Sequence, residues 1–155
     1  MNNFIYENST KVYFGQGCVK EFLSSLTRDS RNILLASGLR SAKKNGIYDE
    51  VLNILMADGK NVVDFSGIMP NPTYQKVLEG IDLVKKNDVD LILGIGGGSV
   101  MDCAKAVSLG ARCSGDPWEN FWGRKGIVDF PPVPVGVIPT TAGTGSECNG
   151  AAVIT

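Results

Sequence analysis

Two kinds of apolar pattern alternate along this chain. Short β-rich runs occur at Ile33-Leu34-Leu35-Ala36, at Asn61-Val62-Val63-Asp64-Phe65, at Asp90-Leu91-Ile92-Leu93-Gly94-Ile95 and at Pro134-Val135-Gly136-Val137-Ile138-Pro139. The last two are nearly continuous, the pattern of strands buried on both faces. Between the runs, apolar residues recur at helical spacing. They are Val51, Leu52, Ile54 and Leu55 within 47–56; then Val77, Leu78, Ile81 and Val84; then Met101, Ala104, Ala106, Val107 and Leu109 within 99–109. Pro70-Asn71-Pro72 breaks the chain, and Thr73 is placed to cap the helix that follows. The alternation predicts an α/β fold: a Rossmann-like parallel sheet with flanking helices and right-handed crossovers. Thr10 to Phe14 reads as an extra strand. Trp118 and Trp122 are spaced to share one helix face that packs on the sheet or on a neighbouring domain. The run Ala151-Ala152-Val153-Ile154-Thr155 has no stop signal after it and reads as a strand cut short. The expectation is that Val153, Ile154 and the tryptophans then form an apolar surface meeting a further domain.

Composition narrows the class. At 155 residues, 43% apolar and 20% charged, residues 1–155 form one domain with a sizeable core. A formal net charge of −1 gives no overall basic field for nucleic acid or an anionic membrane. No apolar run is long enough to span a bilayer, and Met1-Asn2-Asn3-Phe4 lacks the features of a signal peptide. These readings point to a cytoplasmic protein. Cys18, Cys103, Cys113 and Cys148 are scattered, as expected of reduced structural thiols. The chain has no histidine.

The sharpest local feature is Leu91-Ile92-Leu93-Gly94-Ile95-Gly96-Gly97-Gly98-Ser99, a buried strand running through glycines into a helix. Glycine permits positive φ and lets an anion reach the backbone with no Cβ in the way. The helix offers unpaired amides and the positive end of its dipole. Ser99 adds a hydroxyl. Together they suit a pyrophosphate, against the alternative that the glycines only form a tight turn. The common G-x-G-x-x-G fingerprint after the first strand is absent, and so is a Gly-Lys-[Ser/Thr] phosphate loop. A second loop, Pro139-Thr140-Thr141-Ala142-Gly143-Thr144-Gly145-Ser146-Glu147, follows another strand. Its hydroxyls and glycines suit close approach of a ribose, phosphate or amide at the carboxyl end of a parallel sheet.

Four stretches together resemble the iron-containing, or group III, alcohol dehydrogenases. They are Val12-Tyr13-Phe14-Gly15-Gln16-Gly17, Pro70-Asn71-Pro72, Gly96-Gly97-Gly98-Ser99-Val100-Met101-Asp102-Cys103-Ala104-Lys105, and Pro139 through Glu147. The resemblance covers essentially the whole chain. It implies the N-terminal domain of a two-domain fold shared with dehydroquinate synthases, in which this α/β domain binds NAD(P) and a following helical domain, absent here, binds a divalent metal. It places Gly97, Gly98 and Ser99 at the cofactor pyrophosphate and puts Thr140, Thr141 and Thr144 in contact with the cofactor. Asn149 and Val153 lie toward its nicotinamide end, and Asn71 is part of the same site. Asp102 faces the cleft, or else caps the helix or packs the loop. Lys105 fits the motif as a solvated or loop-bracing lysine.

The family metal site uses an aspartate and three histidines of the helical domain, so no metal ligand is assigned within this chain, and iron and zinc both stay open. The implied reaction is hydride transfer between NADP or NAD and an alcohol/aldehyde pair, with small-molecule partners and a homo-oligomer left open. No catalytic residue is assigned. The chain by itself is expected to be inactive. Alternatives are an inactive nucleotide-binding module and an enzyme of the glycerol dehydrogenase or dehydroquinate synthase kind. The loop after the first strand, Ser37-Gly38-Leu39-Arg40-Ser41, has no acidic residue to accept from a ribose 2′-hydroxyl. Arg40, with hydroxyls from Ser37 and Ser41 beside Gly38, is placed to hold a 2′-phosphate, which predicts a preference for NADP.

Overall fold

In this computed structural model, residues 8–39, 41–123 and 126–155 are described. The fold is organised by the run at Ile33. Its four residues, Ile33 to Ala36, are fully buried in strand β1, Asn32–Gly38. β1 pairs in parallel on both sides: Ile33 lies opposite Val62 of β2, Asn61–Ile68, and opposite Leu91 of β3, Leu91–Gly96. β4, Val135–Pro139, adds in parallel to β3, giving the order β2-β1-β3-β4. Strand residues alternate between two apolar layers because side chains of a strand point to opposite faces. Leu34, Ala36 and Ile92 face one layer, built with Val77, Ile81 and Val107. Ile33, Leu35, Leu93 and Ile95 face the other, built with Leu23, Val51 and Leu55.

The helices that cover these faces are α1, Cys18–Leu26, α2, Ser41–Lys44, and α3, Ile47–Ala57, then α4, Tyr74–Lys86, and α5, Gly98–Arg112. Thr73 caps α4 as expected, its Oγ1 accepting from the Lys76 amide at 3.3 Å. α4 and α5 pack closely because Gly80 leaves room: a Cβ there would lie 2.5 Å from Val107 Cγ2. The path β1-α2-α3-β2-α4-β3 moves outward from β1 and then returns to its other side. The connections that leave the carboxyl ends of β1 and β3 therefore run to opposite faces of the sheet, and a crevice opens between them.

Several expectations need correction. Thr10 to Phe14 is not a strand and has no sheet partner among the described residues. The run 151–155 is not a strand either. It lies against the start of α4, where the Thr155 amide donates to Pro72 O at 3.0 Å and Thr155 O accepts from the Tyr74 amide at 2.8 Å. Ile154 is not part of an exposed apolar face: it is buried within the α4/α5 layer, while Val153 stays exposed. Trp118 and Trp122 lie on a π-helical turn, Trp118–Gly123, not an α-helix. Their rings stack at 6.2 Å and pack, partly buried, against the same layer. No helix among the described residues is long and apolar enough to cross a membrane.

Candidate functional site

α5 starts where β3 ends. Gly97 is its N-cap, with φ −90° and ψ −167°, and Gly98 is its first residue. The first amides of a helix have no intrahelical acceptor. Those of Gly98 and Ser99 therefore lie free at the floor of the crevice, at the positive end of a 15-residue helix. The crevice has a volume of about 390 Å³. Gly38 and Leu39 line it from β1, and Ile68 and Pro70 from the end of β2. Gly97, Gly98 and Ser99 form its base, and Thr141 and Thr144 close it from the loop after β4. None of the described residues lining it is charged. Among the described residues the field at its floor is that of the helix terminus, which favours an anion.

The three consecutive glycines have different causes. A Cβ on Gly96 would fall 2.5 Å from Val100 Cγ2, so Gly96 is demanded by the protein's own packing. A Cβ on Gly97 would lie 3.6 Å from Thr141 Oγ1, and one on Gly98 would lie 3.5 Å from Thr144 Cβ, both ordinary contacts. None of the three has positive φ, which corrects the expectation that they supply left-handed backbone. That role falls instead to Gly143 and Gly145 of the threonine loop, with φ 91° and 67°. Neither strain nor crowding within the protein calls for glycine at 97 or 98. What their missing side chains leave is space over free amides, the shape an oxyanion such as pyrophosphate fits.

Of the residues singled out from the sequence, the fold brings Gly38, Gly97, Gly98, Ser99, Thr141 and Thr144 around this one crevice. Thr140 continues the β3–β4 pairing, its amide donating to Gly96 O at 2.9 Å. Asn71 has a left-handed backbone, φ 53°, and its carbonyl accepts from Thr155 Oγ1 at 3.3 Å. Asp102 lies one turn along α5 from the crevice floor, and Asn149 and Val153 lie in the loop laid against α5 at Lys105 and Asp102. Asp102 Oδ1 accepts from Ser146 Oγ at 2.6 Å, and its Oδ2 accepts from the Val153 amide at 3.1 Å. Asn149 Nδ2 donates to Gly145 O at 2.7 Å. Lys105 braces this loop, as expected for the second of its two readings. Arg40 and the Ser41 side chain lie outside the described residues. Ser37 is fully buried, with no hydrogen-bond partner for its hydroxyl among the described residues, so it is not available to a ligand surface as the sequence reading had it. The sequence assigns no site role to Leu39, Ile68 or Pro70, although Leu39 lies in the Ser37–Ser41 loop and Pro70 in the Pro70-Asn71-Pro72 stretch. β2 runs three residues past its apolar run, and Gly38 pairs with Ile68, which brings Ile68 to the rim.

Among the described residues, the groups whose pKa is clearly raised, Cys103, Tyr48 and Tyr74, do not line the crevice. Burial pushes the Cys103 thiol from 9.0 up to about 12, so it is an inert core thiol. Burial, and then the hydrogen bond to Asp64, raise Tyr48 above its ordinary 10.0. Among the described residues no three of His, Cys, Asp and Glu gather into a donor set, so these residues do not fit a metal ion. The free amides at a helix terminus are an arrangement that can bind an anionic group.

The order of the parallel sheet and the glycine-floored crevice at its switch point are those of a Rossmann-like α/β domain. Residues 9–155 match the family model described as iron-containing alcohol dehydrogenase, and the chain belongs to that family. It is 42% identical, over its full length, to a probable NADH-dependent butanol dehydrogenase 2 of Bacillus subtilis, covering 39% of that protein. It is 37% identical to the NADPH-dependent aldehyde reductase YqhD of Escherichia coli, with 99% of this chain and 39% of the relative covered. Among solved structures, the NADH-dependent butanol dehydrogenase A of Thermotoga maritima superposes with a TM-score of 0.90 at 41% identity, over 100% of this chain and 39% of that one. The chain thus spans about two fifths of the length of the relatives it matches.

Proposed function

We propose that this chain is the cofactor-binding domain of an NAD(P)-dependent, metal-dependent alcohol dehydrogenase or aldehyde reductase, completed by a helical metal-binding domain. The observation that carries the reading is the pair Gly97 and Gly98. Nothing among the described residues requires glycine there, and both lie at a helix terminus in a crevice whose described lining carries no charged side chain. A reduced nicotinamide bound there supplies a hydride for an aldehyde carbonyl. The chain's own residues bind and orient. The Gly98 and Ser99 amides receive the pyrophosphate. Gly38, Leu39 and Ile68 wall the side toward β1 and β2 and would hold the adenosine half. Thr141 and Thr144 flank the side toward β4 and would hold the nicotinamide half, with hydroxyls that can accept from and donate to its amide.

Holding the ring at reacting distance converts an encounter into an effectively intramolecular step. The described residues provide no metal donor set, so no step here runs through a metal. That same fact favours a second reading for the chain by itself, a nucleotide-binding module without turnover. The names of the relatives divide between NADH and NADPH. The Ser37–Ser41 loop, with Arg40 and no carboxylate, supports NADP for this chain. The test is the full-length protein, assayed with a panel of aldehydes and each reduced cofactor by loss of nicotinamide absorbance. No turnover with any aldehyde, in a protein that binds the cofactor, leaves the module reading in place.

A further inference from the structure

The segment from Thr144 to Val153 has one short 3-10 turn, Ser146–Cys148, and only one buried residue, Ser146. It has almost no apolar anchor of its own before Ile154. Single bonds reach it from Asn8 Nδ2 to Cys148 O and from Trp122 Nε1 to Ala152 O, and two side chains on the second turn of α5 make most of the others. Asp102 accepts from Ser146 Oγ and from the Val153 amide. Lys105 Nζ donates to Ser146 O at 3.0 Å and to Asn149 O at 3.3 Å, and also contacts Asn149 Oδ1 and Ala151 O. The two clamp residues pair with each other at 3.3 Å and are 16% and 19% exposed. Thr144, two residues before the first clamped position, stands over Gly98.

We infer that Asp102 and Lys105 are positioning residues that set the height of the threonine loop above the glycine cradle. The clamp and the cradle lie on successive turns of one helix, so α5 measures the gap between them as a rigid body. The cradle binds the pyrophosphate through the first turn alone. The clamp acts only on what reaches over toward Thr141 and Thr144. The inference rests on the cofactor reading above, and it predicts a split: loss of the clamp weakens the whole dinucleotide and spares a ligand that ends at the pyrophosphate.

Lys105→Met keeps the length and apolar stem of the side chain and removes its charge and donors. In the full-length protein that carries this domain, ligand-free hydrogen exchange at the Ala151 and Val153 amides should quicken about tenfold or more, with the amides of α5 as in wild type. Calorimetry should show reduced dinucleotide binding weakened about tenfold, the order expected for loss of one charge-assisted contact, and ADP binding within about twofold. Lys105→Arg, which restores charge and donors, should recover part of both effects. Unchanged exchange at 151 and 153 overturns the inference. So does an equal loss for ADP and dinucleotide, which marks a general structural defect. A wild-type protein that binds neither nucleotide refutes the cofactor reading, and the exchange measurement then still decides the clamp.

Discussion

Replacing Gly98 by alanine is expected to move stability and ligand affinity in opposite directions. In the free protein the new methyl would lie 3.5 Å from Thr144 Cβ and Cγ2, a contact without strain. Gly98 is the first residue of α5 and its φ is not positive, so alanine fits the backbone. Glycine in a helix costs about 0.5–1 kcal/mol relative to alanine, less at the first position, so Gly98→Ala should gain about 0.5 kcal/mol. For a domain of this size that is a rise of about 1–2 °C in Tm. The same methyl projects over the amides at the crevice floor. Losing a charge-assisted hydrogen bond to an anion costs about 1.5–3 kcal/mol, or about ten- to hundredfold in Kd. Gly98→Val should weaken binding further, because its branch fills more of the crevice.

Gly96→Ala is the control. Its Cβ meets Val100 Cγ2 at 2.5 Å, so it should lose about 1–3 kcal/mol of stability through overpacking. The assays are a thermal melt of the chain and calorimetric titration of the full-length protein with NADPH and NADH. Unchanged affinity in Gly98→Ala would place the pyrophosphate elsewhere. A fall in Tm alongside affinity would show that Gly98 serves the fold and not the ligand.

The chain by itself should show no dehydrogenase turnover when ferrous or zinc ions are added, because it has no histidine and its described residues assemble no metal donor set. Metal-stimulated oxidation of NADPH by the purified chain would contradict this. The full-length enzyme should have a higher kcat/KM with NADPH than with NADH, and Arg40→Ala should lower that ratio about tenfold, the value of one charge-assisted contact. A ratio that the substitution leaves untouched removes the loop as discriminator. Stability should decline at alkaline pH. The Cys103 thiol ionises near 9.0 when unfolded and only near 12 when folded, so its contribution is complete below pH 9 and is lost progressively as pH rises toward 12. The raised Tyr48 acts in the same direction above its ordinary 10.0. Denaturant melts of wild type and Cys103→Ala from pH 8 to pH 11 test this, since the variant should show a flatter decline.

Most of the elements and the floor of the candidate site were legible because their causes are local. A run such as Leu91 to Ile95 can only be a strand covered on both faces, and a glycine run between it and a helical repeat marks the helix start within one residue. Thr73 announces α4 by its own hydroxyl. α1 escaped notice because it is only nine residues long and enters through Gly17 in a left-handed conformation, with no side-chain cap to mark it. Thr10 to Phe14 and Ala151 to Thr155 have β-type composition. A strand also needs a neighbour offering free amides and carbonyls, and only the assembled sheet decides that. The rim residue Ile68 depends on β2 continuing opposite Gly38, a register between segments 30 residues apart. The roles of Asp102 and Lys105 depend on a loop more than 40 positions away being laid across α5. Local periodicity and turn chemistry therefore determined most of the elements and the glycine-flanked helix start of α5. Strand order, register and the clamp that closes the loop over it came only from the tertiary structure, because hydrogen bonds between distant segments leave no periodic trace in either one.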